Sequence, residues 1–272
     1  MNHKSLVLAF VVAFSVTLFG CKEEKVITDS KPDETEIQLD VDYHYRPFLH
    51  FFTSTGCGGC GRFGIPVFES VANQMGDSIM ALPTHFKYND KFIRASSNAI
   101  EKALVVTYHS PQIWVEETEF TYDILNFSIP KAAAYTAAKL RTEFSSNAEA
   151  YVGLRYSKKE NGRIAVTLAV ENGLDQETSF VYEIYSMEDG LVGSQAGGNP
   201  FVAKHCRVNR GGYYGGMGKA HVFAAKQKVI EEVEFIPCVE CVSDELYFLA
   251  IVWQDLGNGR YKYINGRTFK NQ

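Results

Sequence analysis

The sequence predicts two unlike halves, an α/β domain followed by an all-β sandwich, and three observations support that reading. The motif Cys57-Gly58-Gly59-Cys60 directly follows the apolar run Phe48-Leu49-His50-Phe51-Phe52, which places two thiols where a strand gives way to a helix. Strand-like and helix-like segments alternate from residue 42 to about 145. From about 150 onward the helical signal nearly vanishes, and short strand-like runs follow one another.

A processing signal precedes both halves. Lys4 stands before the uncharged apolar stretch 6–19, which is short for a membrane span, and Leu18-Phe19-Gly20-Cys21 sets a small residue before a cysteine. Cleavage there removes residues 1–20 as a lipoprotein signal peptide and leaves Cys21 as the acylated first residue, so the expected partner is membrane lipid. An uncleaved anchor helix is the alternative, but no positive flank follows the stretch. Lys22, Glu23 and Glu24 come next, and a lysine with acidic residues at this place resembles the export signal of surface lipoproteins in some Gram-negative bacteria. A solvated tether is the plainer reading of so short a charge run. Residues 21–41, charged and poor in large apolar groups, read as that tether. The expected location is the outer membrane, on its periplasmic or its surface-exposed face.

The chain has 272 residues and a net charge of −5; loss of residues 1–20 removes Lys4 and no acid, which makes it −6. That acidic balance lacks the clustered Lys/Arg footprint of a phosphate-binding surface, so no nucleic-acid partner is expected. The roughly 250 residues that remain after cleavage suit two domains of ordinary size, here 42–146 and 147–272.

In the first half the expected elements are a strand at 46–53, a helix at 62–75, a strand at 79–85, a helix at 93–104 and a strand at 112–117 entered through Ser110-Pro111. A helix at 130–144 has Ser128 as candidate N-cap, Pro130 in its first turn and an alanine-rich interior. Such alternation argues for a mostly parallel sheet under helices and fits a thioredoxin fold. In the second half the expected strands are 151–157, 163–170, 179–186, 201–208, 229–236, 246–253 and 261–269. Asn161-Gly162 and Asn258-Gly259 lie between such runs and favour the positive φ of tight hairpin turns. The run 222–228 is undecided between strand and helix.

Several residues together resemble one family. They are the string Phe51-Phe52-Thr53-Ser54-Thr55-Gly56-Cys57-Gly58-Gly59-Cys60, His85 ending the next strand, Ser110-Pro111, Met187-Glu188-Asp189-Gly190, and His205 with Arg210 before glycines. In this order, over residues 45–270, they resemble the twenty-eight-kilodalton outer-membrane-protein family of lipoproteins. The resemblance implies an α/β thioredoxin-like domain followed by an all-β immunoglobulin-like sandwich. It implies little about activity. The chain departs from the wider thioredoxin superfamily in having Gly56 where tryptophan is usual, glycine where proline is usual between the cysteines, and Pro66 one residue late. Pro111 is the candidate for the cis-proline that faces the dithiol there.

Cys57, Cys60 and Pro111 are thus the candidate catalytic residues, with Cys57 attacking and Cys60 resolving in exchange with protein thiols or disulfides. A disulfide without turnover and half of a zinc site are the competing readings of the pair. Of the other thiols, Cys238 and Cys241 form a candidate second disulfide that leaves Cys206 free; a tetrahedral zinc site from His205, Cys206, Cys238 and Cys241 is the alternative. His85 and His109 end elements near the presumed site and read as scaffold. The loop Gly211-Gly212-Tyr213-Tyr214-Gly215-Gly216-Met217-Gly218 reads as sheet-edge structure, with recognition of a partner or glycan as the alternative. No esterase, zinc-protease or phosphate-loop motif occurs, so neither a cofactor nor a resident metal is expected. The functional expectation is exchange on exported proteins, and the alternative is a non-enzymatic surface lipoprotein that binds a partner or supports an outer-membrane assembly.

Overall fold

The computed structural model describes residues 38–107, 109–144, 147–198, 202–237, 241 and 245–270. The signal peptide, Cys21 and the Lys22, Glu23 and Glu24 run lie outside these residues, as does Cys238. The elements in chain order are β1 Phe48–Thr53, a π-helical turn Cys60–Gly64, α1 Ile65–Met75, β2 Met80–His85 and α2 Ala95–Ala103. Then come β3 Gln112–Val115, β4 Thr118–Glu119, α3 Thr121–Ile124 and α4 Ile129–Glu143. The remainder is strands: β5 Ala150–Lys158, β6 Ile164–Asn172, β7 Thr178–Glu188, β8 Leu191–Ser194, β9 Val202–His205, β10 Val208–Gly212, β11 Lys219–Phe223, β12 Lys228–Phe235, β13 Leu246–Gly257 and β14 Arg260–Phe269.

Local chemistry accounts for most of these segments. In α1, Pro66 sits in the first turn, where its missing N–H costs nothing, and Val67, Phe68, Val71, Ala72 and Met75 form one buried stripe. In α4 the buried stripe is Ala132, Ala133, Thr136, Ala137 and Leu140; Ser128 takes the extended N-cap conformation but its hydroxyl makes no capping bond. The β13–β14 hairpin turns at Asn258 and Gly259, with φ of 55° and 74°. The expected strand at 201–208 is two short strands, β9 and β10, and the undecided run is the end of β11, a turn and the first residue of β12.

Four sheets result. The first has order β2-β1-β3-β4, with β1 and β2 parallel and β1 and β3 antiparallel. The second has order β10-β7-β13-β14, with β11 also on β7. The third is β12-β6-β5, and β8 with β9 forms a two-stranded sheet.

The expected class, an α/β thioredoxin-like domain and then an all-β immunoglobulin-like sandwich, is corrected by this architecture. Fourteen strands stand against four α-helices among the described residues, and one strand pair, β1 with β2, is parallel among those in the sheets. The reason lies in what covers each face. On β1, Leu49 and Phe51 point toward α1 and α4, where they join Val67, Phe68, Val71, Ala133, Ala137 and Leu140. Phe48 and Phe52 point the other way, and there α2 covers only part of the sheet. The rest is met by Val181, Tyr185 and Met187 of β7, Tyr247, Leu249, Ile251 and Trp253 of β13, and Tyr263 of β14. The opposite face of that second sheet, through Phe180, Tyr182, Ile184, Phe248, Ala250 and Val252, packs on Val152, Leu154, Val166, Leu168 and Val170 of the third. Helices, first sheet, second sheet and third sheet are therefore stacked in that order, and the second sheet is buried on both faces. A helical second layer over β1 is replaced by another sheet, and one core cluster, the one that joins Phe48 and Phe52 to Trp253 and Tyr263, runs across the expected division at 146/147.

Trp253 stands at the centre of this shared core. It is fully buried, with its ring edge-on to Phe48 at 5.7 Å and to Tyr263 at 6.0 Å. Trp253→Ala is expected to cost about 3–5 kcal/mol. Its removal leaves Trp114, in β3, as the remaining tryptophan. The fluorescence midpoint of Trp114 in denaturant should fall together with the loss of overall β circular dichroism, and an unchanged Trp114 midpoint would show that the layers unfold independently.

Candidate functional site

The end of β1 delivers the chain to the dithiol. Cys57 and Cys60 are disulfide-bonded, with Cα atoms 5.2 Å apart. The chain turns into helix at Gly58; the Cys57 N–H donates to Ser54 O at 3.1 Å, and Gly61 N–H donates to Cys57 O at 3.2 Å. Cys60 N–H points at the first sulfur, with a nitrogen to Cys57 Sγ distance of 3.0 Å. Cys57 is 6% exposed and Cys60 0%. The Ser110–Pro111 bond is cis, and a Cβ at Gly59 would lie 3.1 Å from Pro111 Cδ, so the proline ring rests against the turn between the cysteines.

The segment before Cys57 is held from two sides, by residues that no motif announces. Asp90, buried, accepts hydrogen bonds from Thr55 N–H at 2.6 Å and Phe92 N–H at 2.9 Å, and pairs with His85 Nδ1 at 2.8 Å. Burial alone would raise the Asp90 pKa, yet the hydrogen bond and charge of His85 and the two N–H donors outweigh it and hold the carboxyl at about 2. Asp90 N–H also closes on Lys87 O at 3.2 Å, across a turn in which Lys87, Tyr88 and Asn89 all have positive φ. This turn explains the glycine in place of tryptophan: a Cβ at Gly56 would lie 3.0 Å from Tyr88 Cβ.

The second hold comes from residues 195–198, between β8 and β9. Gln195, 1% exposed, donates its Nε2 to Ser54 O and Cys57 O, both at 3.2 Å, and Ala196 N–H donates to Thr55 O at 2.8 Å. The glycine pair Gly197-Gly198 is the signal in the sequence that this segment approaches another backbone closely.

The remaining candidates are scattered. His85 and His205 stack edge-on with ring centroids 6.0 Å apart, and together with Cys206, Thr53 and Glu69 they line a small cavity beside β1 and β2. Cys206 is free, and burial pushes its thiol pKa up, with Glu69 adding to the rise. Cys241 is disulfide-bonded and lines a different pocket, beside Tyr213 and Phe248, so the described members of the alternative zinc site line separate cavities. Among the described residues no group of three or more His, Cys, Asp or Glu side chains is arranged to hold a metal ion. His109 pairs with Glu119 at 2.8 Å, half-exposed.

The glycine-rich loop has a structural task. Glu183 of β7 is buried where β10 ends and β11 begins, and it accepts N–H bonds from Ile184 at 2.8 Å and Tyr214 at 3.0 Å. Burial nevertheless pushes its pKa up to about 7. Tyr214 and Tyr182 both donate their hydroxyls to Glu231, which fixes one ring of the pair. Tyr213 packs on Phe235 and borders an apolar pocket of about 340 Å³ with Ile236, Leu246 and Phe248.

Fold and site together define a mostly β chain that carries a disulfide at a helix start. No family model matches the chain, and no curated protein matches it. Among solved structures it is similar to HBP35 of Porphyromonas gingivalis, with 17% identity and a TM-score of 0.61 over 85% of this chain and 76% of that one; the two share a fold. A domain of the outer membrane lipoprotein Omp28 from Porphyromonas gingivalis matches 45% of this chain and 88% of its own at 14% identity, with a TM-score of 0.31. CsgH of R. palustris matches 44% and 91% at 11% identity, with a TM-score of 0.23. Likeness at these last two levels bears on neither fold nor activity.

Because the folded-state pKa of Asp90 lies below its ordinary value of 3.8, its contribution to stability is full above about pH 4 and is lost as pH falls through about 2. Asp90→Asn should lower stability by about 1–3 kcal/mol at neutral pH. It should also remove part of the decline between pH 4 and 2, measured by urea denaturation at each pH. An identical acid limb in both proteins would mean that the carboxylate does not carry this hold.

Proposed function

We propose that this chain is an exported lipoprotein of the twenty-eight-kilodalton outer-membrane-protein type, anchored through acylated Cys21 to the outer membrane on its periplasmic or surface-exposed face, that performs thiol–disulfide exchange on exported proteins. The observation that carries the chemistry is the Cys60 N–H aimed at Cys57 Sγ from the first turn of the helix. In the reduced form that donor and the helix dipole favour the Cys57 thiolate over the thiol. Cys57 is also the more exposed residue of the two, as suits the attacking member of a pair. Its thiolate attacks one sulfur of a client disulfide, that bond breaks, and the other client sulfur leaves as a thiolate. Cys60, on losing its proton to solvent, then attacks Cys57 Sγ. The Cys57–Cys60 bond forms, and the second client thiolate departs. The client is reduced by two electrons and the chain oxidised; the reverse sequence oxidises a client dithiol. Pro111 against Gly59 restricts which side of the pair a client reaches.

The small exposure of Cys57 beneath residues 195–198 favours a second reading, in which the disulfide is a clip in a non-enzymatic surface lipoprotein that binds a partner or supports an outer-membrane assembly. The pocket beside Tyr213 is then the face to test. The location rests on the sequence alone, on Gly20 before Cys21 at the end of the apolar stretch and the polar Lys22, Glu23 and Glu24 after it.

Two measurements test these readings. Cys60→Ser should trap mixed disulfides with client proteins in non-reducing gels, whereas Cys57→Ser and Cys238→Ser should trap none, because only the attacking sulfur forms the intermediate. If both site variants behave alike and neither exchanges with a small disulfide, the clip reading replaces the exchange reading. The intact mass of the membrane-bound protein should lack residues 1–20 and carry added lipid; an unmodified Met1 terminus would exclude the anchor.

A further inference from the structure

Residues 195–198 lie across the dithiol from the other half of the chain. Ala196 N–H fills the acceptor Thr55 O at 2.8 Å, and Gln195 Nε2 fills Ser54 O and Cys57 O. These are carbonyls of the segment that leads into the attacking cysteine. The fit is close on both sides. A Cβ at Gly61 would lie 2.3 Å from Ala196 O and 2.6 Å from Gly198 N, and a Cβ at Gly197 would lie 2.2 Å from Gly58 O. The strap is thus laid on the turn between the cysteines and on the residue after it, and Cys57 beneath it is left 6% exposed.

The strap's mooring is weak compared with the layers around it. Its flanking strands β8 and β9 pair over four residues with each other and, among the described residues, with no other strand, the kind of two-stranded ribbon that has little stability of its own. Gln195 donates through its amide nitrogen, but its buried Oε1 has no partner, so the docked state leaves an acceptor stripped of water and unpaired. The Lys91 ammonium reaches Val192 O only at 3.5 Å.

We infer that residues 195–198 act as an intramolecular occupant of the client face of the Cys57–Cys60 site, an autoinhibitory strap that an incoming thiol or polypeptide must displace. Its main-chain N–H at Ala196 takes the place at Thr55 O that the backbone N–H of an extended client segment would take. The disulfide is closed to exchange while the strap is docked, and the observed rate is the intrinsic rate multiplied by the undocked fraction. This rests on the exchange reading for its biological use, but the gating itself is a property of the disulfide and can be measured with a small thiol.

The test is the second-order rate of reduction of Cys57–Cys60 by dithiothreitol in the full chain, compared among wild type, Gln195→Ala and Gly61→Ala. Gln195→Ala removes both side-chain moorings and leaves the turn intact; Gly61→Ala inserts a methyl group where Ala196 O lies. Both should react at least tenfold faster than wild type, with protection of the Ala196 amide against hydrogen exchange lost in both. Gln195→Ala is decisive if Gly61→Ala does not fold. Equal rates in wild type and Gln195→Ala overturn the strap, and so does acceleration in Gly61→Ala alone, which would place the effect in the turn itself. Faster reduction in both variants, with no client trapped by Cys60→Ser, would uphold the strap and remove the exchange reading.

Discussion

The second sheet is the constraint on which the rest of the structure depends, because both of its faces are buried. β7 and β13 at its centre have no solvent side, so almost every residue from Leu246 to Trp253 is apolar and buried, and the run does not alternate. One face of the sheet builds a core with the third sheet, and the other completes the core of the first. The Phe48, Trp253 and Tyr263 rings are the joint: Phe48 and Tyr263 stack at 4.7 Å, and Trp253 meets both edge-on. Tyr263 also donates its hydroxyl to Arg46 O at 2.7 Å, so the last strand is tied to the entrance of the first.

A polar side chain in a doubly buried sheet can be paired only by local donors, and Glu183 is met in this way at Oε1, while its buried Oε2 has no hydrogen-bond partner. At the point where β10 leaves β7 and β11 arrives, the ladder is interrupted, and the glycine-rich loop turns its N–H groups inward onto the carboxylate. Positive φ at Gly215 and Gly216 permits that curl. Glu116 is placed similarly in the seam between the halves. It accepts bonds from Phe48 N–H at 2.9 Å and Tyr45 hydroxyl at 2.8 Å, and burial pushes its pKa up to about 7. Both carboxyls sit above their ordinary value in the folded state, so each contributes stability that is full below about pH 4.5 and is lost as pH rises through about 7.

The dithiol inherits its surroundings from the same stacking. Docking the second sheet on the first brings the β8–β9 hairpin, which leaves directly from β7, over the end of β1 and so over Cys57. The segment before the first cysteine is then clamped by Asp90 from its own half and by Gln195 from the other. The site is thus built from residues far apart in sequence, Ser54 and Gln195 being 141 positions apart. Neither clamp is a group that reacts; both hold the backbone that carries Cys57.

Much of the local structure was legible in the residues themselves. The apolar run before Cys57 marks β1, the 3.6-residue stripe from Val67 to Met75 marks α1, and Asn258-Gly259 marks a hairpin, because each is set by side chains within a few positions of one another. The spacing of Cys57 and Cys60 is enough to suggest their bond, whereas the sequence leaves the state of Cys206 open and the structure has it free. The class of the whole fold was not legible. Periodicity says that Phe48 and Phe52 must be covered, but it does not say whether a helix or a sheet covers them, and the answer lies in β7 and β13 more than 120 residues away. Asp90, Gln195 and Ala196 were invisible for the same reason: their role is to complete hydrogen bonds of a distant backbone segment, and a sequence pattern records what a residue is, whereas only the tertiary structure decides what it meets.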